Sequence, residues 1–252
     1  MARKGSGRRG VAALLALCLA TPCIGQSLRV SAWSSYEAVT ASQDWSTLGA
    51  QFTLRTSRGH GGWVAAEVLG RFGETDVTER IGTVVHPTPR IWLTAEAGTS
   101  RQPVFSPKNT WDADASALVA SRSSLGVGYR RLNYAAGPVD VVMPHITTET
   151  SRMSWSLRVF LSSNPSRRTD TAVSLRAARA LTRRTTVSLL GAAGRESYLV
   201  GGAVRSLETV TGSAGIRYNA ARGMTLRFDA TVIRSRPVLS RNGIAIGVER
   251  GL

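Results

Sequence analysis

The chain is poor in residues that several common chemistries need. It has only two cysteines, Cys18 and Cys23, both within the first 25 positions. Once that leader is removed no thiol remains, so disulfides and thiol catalysis are excluded. Lysine occurs only at Lys4 and Lys108, so arginine carries the formal charge of +16. Histidine is confined to His60, His86 and His145. Neither these nor the carboxylates show metal-ligand spacing, and no cofactor is implied. His60 sits in a glycine-rich turn, His86 before a proline and His145 beside Pro144, which reads as solvated turn histidines. Beyond the leader no apolar run reaches the ~18–20 residues of a spanning helix. No stretch reads as a long amphipathic helix either. If such a chain crosses a membrane, it crosses as strands.

The leader itself is informative. Arg3, Lys4, Arg8 and Arg9 precede an apolar run over Val11–Ala20, and Pro22 breaks it. Cys23 and Gly25 are small residues placed for cleavage before Gln26. Residues 1–25 are therefore expected to be a cleaved signal peptide, and residues 26–252 the mature domain. A lipoprotein acylated at Cys23 is the runner-up, but Ala20-Thr-Pro22 is a poor lipobox. A buried amphipathic helix is disfavoured, because the run has no polar face.

What the mature chain has in quantity is alternation. In Met153–Leu161, Met153, Trp155, Leu157, Val159 and Leu161 oppose Ser154, Ser156 and Arg158. Leu226, Phe228, Ala230 and Val232 oppose Arg227, Asp229 and Thr231, and Ile244, Ile246 and Val248 oppose Ala245, Gly247 and Glu249. Side chains alternate across a strand, so each segment has one apolar and one polar face. About fourteen such segments, each of roughly 9–14 residues, are separated by turn residues. The pattern predicts an all-β fold: a single closed antiparallel transmembrane β-barrel of about 14 strands, with 12 or 16 as the neighbouring counts. Pro87-Thr-Pro89 is expected to form a tight turn, Ser100–Lys108 a longer loop, and Glu196–Arg205 an extracellular loop. In lipid an unpaired edge costs several kcal/mol per backbone group. Arg29–Ala38 is therefore expected beside Ile244–Leu252, antiparallel. Trp33, Tyr36, Trp45, Trp63, Trp92, Trp111, Tyr129 and Tyr134 fall mostly near strand ends, where aromatic rings suit the membrane interface.

The chain resembles a known family at several of these segments. The opening Ser31-Ala-Trp-Ser-Ser-Tyr36, Asp44-Trp45 and Leu48–Arg55 is similar to the N-terminal strands of the YaiO family of outer-membrane β-barrels. The same holds for Leu125–Tyr134, Pro144 and Trp155–Leu161. The resemblance runs across essentially all of the mature chain and rests on diffuse strand patterns. It implies a barrel in the outer membrane of a Gram-negative bacterium, and implies no particular activity. Bacterial barrels commonly end on an outward aromatic that the insertion machinery reads. This chain ends on Leu252, which keeps the parity of Ile244, Ile246 and Val248 but lacks the ring.

A charge facing the lipid midplane costs about 2–4 kcal/mol for Arg or Lys. The charged parity is therefore expected to line the lumen: Arg55, Arg71, Arg130, Arg158, Arg176, Arg217 and Arg227, with Glu67, Glu96, Asp112, Asp114 and Asp229. The arginine excess suggests a narrow, porin-like channel for an anionic solute or polysaccharide, since pore charge sets selectivity. The bland reading is a structural surface barrel whose ion pairs knit a plugged lumen. Expected partners are outer-membrane lipid and lipopolysaccharide, the insertion machinery during biogenesis, and an anionic glycan. Nucleic acid is not expected, because the arginines are spread singly along strands. A non-enzyme is expected. Two other classes are a soluble periplasmic ligand-binding sandwich or barrel, and an outer-membrane lipid-modifying hydrolase. The hydrolase would need His86 or His145 beside a serine and an acid in space.

Overall fold

A computed structural model describes residues 26–40, 42–163, 169–200, 203–220, 223–236 and 239–252. The expected signal peptide and the turns at 164–166 and at Pro237 lie outside these residues. The described residues form fourteen strands: β1 (Gln26–Val39), β2 (Trp45–Thr56), β3 (Gly61–Arg71), β4 (Glu74–Thr88), β5 (Ile91–Arg101), β6 (Asn109–Ala120) and β7 (Ser123–Tyr134). They continue with β8 (Gly137–Glu149), β9 (Met153–Ser163), β10 (Thr169–Ala180), β11 (Thr185–Val200), β12 (Ala203–Asn219), β13 (Met224–Arg236) and β14 (Leu239–Gly251). Each strand pairs antiparallel with its sequence neighbours, and β1 pairs with β14 to close the barrel. Eleven residue pairs make that seam, from Arg29↔Gly251 to Val39↔Arg241. Among the described residues no helix is long and apolar enough to cross a membrane; the crossing is made by strands.

The alternation read in the sequence is what the register uses. Leu48, Ile81, Leu157, Leu189, Phe228 and Ile246 all point outwards and are exposed. Ile246 is 60% accessible and Leu189 64%. A soluble barrel or sandwich buries such residues; here they form a continuous outer belt, which in water would be a large aggregation-prone patch. The inward parity is polar, and it also takes most of the tryptophans. Trp33 lies over Gly49 and Trp63 over Gly82, in space where a Cβ at either glycine would collide with the indole.

This corrects the expected interfacial girdle. Trp33, Trp45, Trp63, Trp92 and Tyr134 stand on inward positions; of that set only Tyr36, Trp111 and Tyr129 face out. Proximity to a strand end says nothing about which face a residue occupies, whereas parity does. Two boundaries also differ. The tight turn falls at Pro89-Arg90, because β4 runs through Thr88 with an irregularity between Val85 and Thr88. The segment Glu196–Arg205 is no loop: β11 and β12 stay paired up to Val200↔Ala203 and project as a hairpin.

Both termini lie at one end. The opposite end carries the seven-residue connection 102–108 and the projecting β11–β12 hairpin. Outer-membrane barrels keep short turns in the periplasm and longer connections outside. The end opposite the termini, called distal below, is thus the extracellular one.

The two faces should respond differently to charge. Phe228→Arg places a cation on the outward belt and should destabilise the barrel by about 2–4 kcal/mol in urea titrations from lipid vesicles. Ala245→Arg, inward and paired with Asp229, should cost well under half of that. Equal costs would contradict the assigned facing.

Candidate functional site in the barrel lumen

All twelve lumen candidates occupy inward positions in this register, but the structure splits them into groups with different surroundings. At the distal mouth, Arg71 joins an aromatic cap. Trp45, 4% exposed, lies between two guanidinium groups: Arg71 is 4.6 Å and Arg241 4.5 Å from its ring centroid. Phe72 meets Trp45 edge-on at 5.2 Å and Phe105 at 6.5 Å. Arg241 also binds Glu37 at 3.1 Å. Cations over desolvated aromatic faces are attracted by the ring quadrupole.

The connection 102–108 is drawn into this cap by Asp76. That side chain is fully buried on β4 and accepts the backbone N–H groups of Val104 (2.9 Å), Phe105 (3.1 Å) and Ser106 (2.7 Å). Asp76 itself stands on the inward parity of β4, so the connection it holds leans over the lumen mouth. Phe72 is held at φ 56°, a costly conformation for a non-glycine residue, and its ring contacts fix it there. On the neighbouring connection, hydrogen bonds from the Tyr36 hydroxyl and the Val39 N–H hold the Asp44 carboxyl below its usual range.

Across the β3–β7 wall, charges are knitted together. Arg80 bridges Glu67 (2.8 Å) and Glu96 (3.5 Å), and Trp63 Nε1 donates to Glu96 at 2.9 Å. Arg130 binds Asp112 at 2.5 Å. Near the seam, Arg227 binds Asp229 at 2.5 Å and Arg29 binds Glu249 at 2.9 Å. Arg80 was missed in the sequence although it stands on the inward parity of its strand with Thr78, Gly82 and Val84. Reading that strand by parity, as its neighbours were read, would have found it.

Asp114 belongs to a third group. Ser116 Oγ donates to Asp114 Oδ1 at 2.9 Å and meets His145 Nε2 at 3.1 Å. His145 Nδ1 faces the Met143 carbonyl oxygen at 3.2 Å and Asp114 Oδ2 at 3.7 Å. His145 is therefore a packed strand residue, not a solvated turn histidine. Gly126 makes the room, since a Cβ there would lie 2.5 Å from His145 Nε2. His60 lies in the connection between β2 and β3, whereas His86 stands inside β4 and is no turn histidine; its N–H donates to His60 Nδ1 at 3.0 Å.

A serine, a histidine and an acid thus meet in space, yet their wiring is not that of a hydrolytic triad. There the acid holds the histidine Nδ1–H while the serine proton goes to Nε2. Here the serine proton is engaged by Asp114, and the hydroxyl is only 4% exposed as a residue. Below this cluster a cavity of about 960 Å³ opens along the wall from Trp92 to Arg158. Among the described residues no group of three or more His, Cys, Asp or Glu could hold a metal ion.

The remaining arginines form the fourth group. Arg158 lies directly opposite His145, and Arg176 is its diagonal neighbour across the β9–β10 pair. Arg217 faces Arg227 on β12–β13. No acid partner is found for Arg55, Arg158, Arg176 or Arg217 among the described residues. The inward neighbours of Arg158 and Arg176 are mostly small, Ser154, Ser156, Ser174, Ala178 and Ala192, with Phe160 beside Arg158 and Leu190 opposite Arg176 as the large ones.

Two outcomes follow from these contacts. Asp76→Ala leaves three backbone donors without their acceptor, each worth about 1–3 kcal/mol. It should lower stability by about 3 kcal/mol and open a trypsin cut after Lys108 that the parent resists; equal resistance would show that Asp76 does not hold the connection. For the serine cluster, a fluorophosphonate probe should leave Ser116 unmodified by intact-mass and peptide analysis. Stoichiometric phosphonylation there would make the site hydrolytic.

The geometry has counterparts among known proteins. The Omp33 outer-membrane protein of Acinetobacter baumannii superposes with a TM-score of 0.58 at 12% identity, over 88% of this chain and 98% of that one. A loop L8 deletion mutant of OmpT from Vibrio cholerae gives 0.52 at 8%, over 90% and 99%. OccK3 (OpdO) of Pseudomonas aeruginosa gives 0.50 at 8%, over 90% and 95%. At these identities the likeness is one of fold. No curated protein matches the sequence. The family described as the YaiO membrane beta barrel domain matches residues 27–199. With an apolar belt outside, a sealed ladder and that match over most of its length, this chain belongs to the YaiO family of outer-membrane β-barrels.

Proposed function

We propose that the barrel is a narrow channel of the outer membrane whose lumen prefers anions. The observation that supports this most is the division of the inner wall. On β3–β7 the charges are tied to one another. On β9–β12, Arg158, Arg176 and Arg217 have no acid partner among the described residues and are flanked mainly by serine, alanine and threonine, with Phe160 and Leu190 the larger neighbours. An eight-stranded barrel is just filled by its own side chains, and larger ones leave space. Fourteen strands with small residues on one wall leave a path along that wall. The distal cap is built from β2, β3, β14 and the 102–108 connection, on the side of the paired wall.

A lone guanidinium in a water-filled lumen keeps its attraction for a passing anion, whereas a paired one has spent most of it. At the effective dielectric of a protein–water boundary, such an attraction is worth about 1–4 kcal/mol at 4 Å. The anionic solutes that fit are small carboxylates, phosphates or acidic sugars. The lumen acts by attraction and size, with no covalent step.

Planar-bilayer recordings under a KCl gradient test this. The parent should pass anions better than cations, read from the sign of the reversal potential. Arg158→Ser combined with Arg176→Ser should lower the permeability ratio roughly fivefold, the effect of about 1 kcal/mol of lost attraction. A barrel that never conducts, or whose ratio is unchanged in the double variant, would contradict the channel reading.

A further inference from the structure

We propose that a cleft on the outer wall, at the distal rim between β10 and β13, binds a phosphorylated glycolipid of the outer leaflet. This is independent of whether the lumen conducts. The cleft exists because two paired strands part. The β10–β11 ladder runs from Ala180↔Thr186 and stops at Ala172↔Gly194. The β11–β12 ladder continues for six more pairs, to Val200↔Ala203. Gly194 is pressed so closely against Ala172 that a Cβ would overlap its backbone; this is where β11 leaves β10. The opening has a volume of about 760 Å³ and is lined by Thr169, Thr171, Ala193, Arg195, Val210 and Arg234, with Glu208 beside them.

Its level in the membrane follows from its neighbours. Val173 and Leu175 on β10, Leu189 on β11, Val210 on β12 and Val232 on β13 are exposed parts of the apolar belt. Thr171, Arg195 and Arg234 stand above Val173, Leu189 and Val232, toward the extracellular end, with Val210 level with Arg234. That is the headgroup level of the outer leaflet.

The chemistry of the cleft calls for a polar, anionic occupant. Where β10 and β11 part, their facing backbone N–H and C=O groups lose the ladder, and next to hydrocarbon such groups need a partner. Arg195 contacts Glu208 at 3.7 Å with both side chains more than 60% exposed, a weak link at a surface. Arg234 donates to Asn242 Oδ1 at 3.1 Å and to the Ile233 carbonyl at 3.3 Å, both through Nη1. A guanidinium has five N–H donors, so both arginines have donors to offer. Their planar forks match phosphate oxygens in pairs.

Below the cleft the wall offers a place for an acyl chain. Gly191 pairs with Gly212 on the outward face, and nothing lies within 4 Å of a Cβ built on either. Leu189 and Val210 border this bare strip. Paired arginines above and a groove for hydrocarbon below fit a lipid that carries phosphate on a sugar and several acyl chains.

Binding of diphosphoryl lipid A to the purified mature barrel in detergent, measured by titration calorimetry, tests this. Arg195→Ser with Arg234→Ser should weaken binding at least about tenfold, whereas Arg179→Ser, outward at the opposite end, should change it less than about twofold. Dephosphorylated lipid A should bind the parent about tenfold more weakly and should not be weakened further by the double variant. If the double variant loses heat-modifiable gel mobility, Gly212→Leu replaces it as the readout. That change fills the strip without meeting a neighbour and should also lower affinity severalfold. Unchanged binding in the variants, or equal binding of the dephosphorylated lipid, would overturn the site. Equal binding of phosphatidylglycerol would overturn the glycolipid assignment.

Discussion

Backbone hydrogen bonds that find no water in hydrocarbon are the constraint on which the rest of this molecule depends. Each unpaired N–H or C=O there costs several kcal/mol. The eleven pairs between β1 and β14 remove the last open edges within the belt. Once the sheet is closed, one parity of every strand must meet lipid and the other must meet the interior. The apolar residues at Leu157, Phe228 and Ile246 and the charged residues at Arg158, Arg227 and Glu249 then have no choice of side. At Gly194 β11 leaves β10 above the belt, where water and headgroups can serve the freed backbone groups.

Closure settles where charge goes, but not what charge does. On the β3–β7 wall, Glu67, Glu96, Asp112 and Asp114 sit within reach of Arg80, Arg130 and His145. Partly desolvated carboxylates are tolerated when paired and hydrogen-bonded. These contacts rigidify one side of the lumen together with the inward tryptophans. On β9–β12 the inward side chains are mostly short, and Arg158, Arg176 and Arg217 have no acid partner among the described residues. The asymmetry separates a wall of paired charges from one of unpaired arginines, while the Trp45–Phe72–Phe105 cap and the connection pinned by Asp76 gather at the distal mouth.

Alternation, strand number and the β1–β14 seam were legible in the sequence because they are periodic, and a period of two survives small errors in boundaries. The inward placement of Arg158 or Asp229 needs no more than parity and the cost of charge in lipid. Other features depend on which strand lies beside which, and at what offset. Ser116 and His145 are 29 residues apart and meet only because β6, β7 and β8 are consecutive and Gly126 leaves a gap between them. Asp76 looks like any polar residue at a strand start until the connection 102–108 folds back onto it. The polar residues of the β11–β12 projection resemble turn material in the sequence, though ladder bonds hold it in register. The tryptophans were placed by nearness to strand ends, where parity was the better guide.

The facing of the strands can be read directly, since residues 26–252 contain no cysteine. Single variants Val173→Cys, Ser174→Cys, Leu175→Cys and Arg176→Cys, reconstituted in vesicles, would be treated with a charged, water-soluble thiol reagent. Reaction at positions 174 and 176, with protection at 173 and 175, is the expected result. Uniform reaction along the strand, or the opposite alternation, would contradict a barrel with lipid outside and water within.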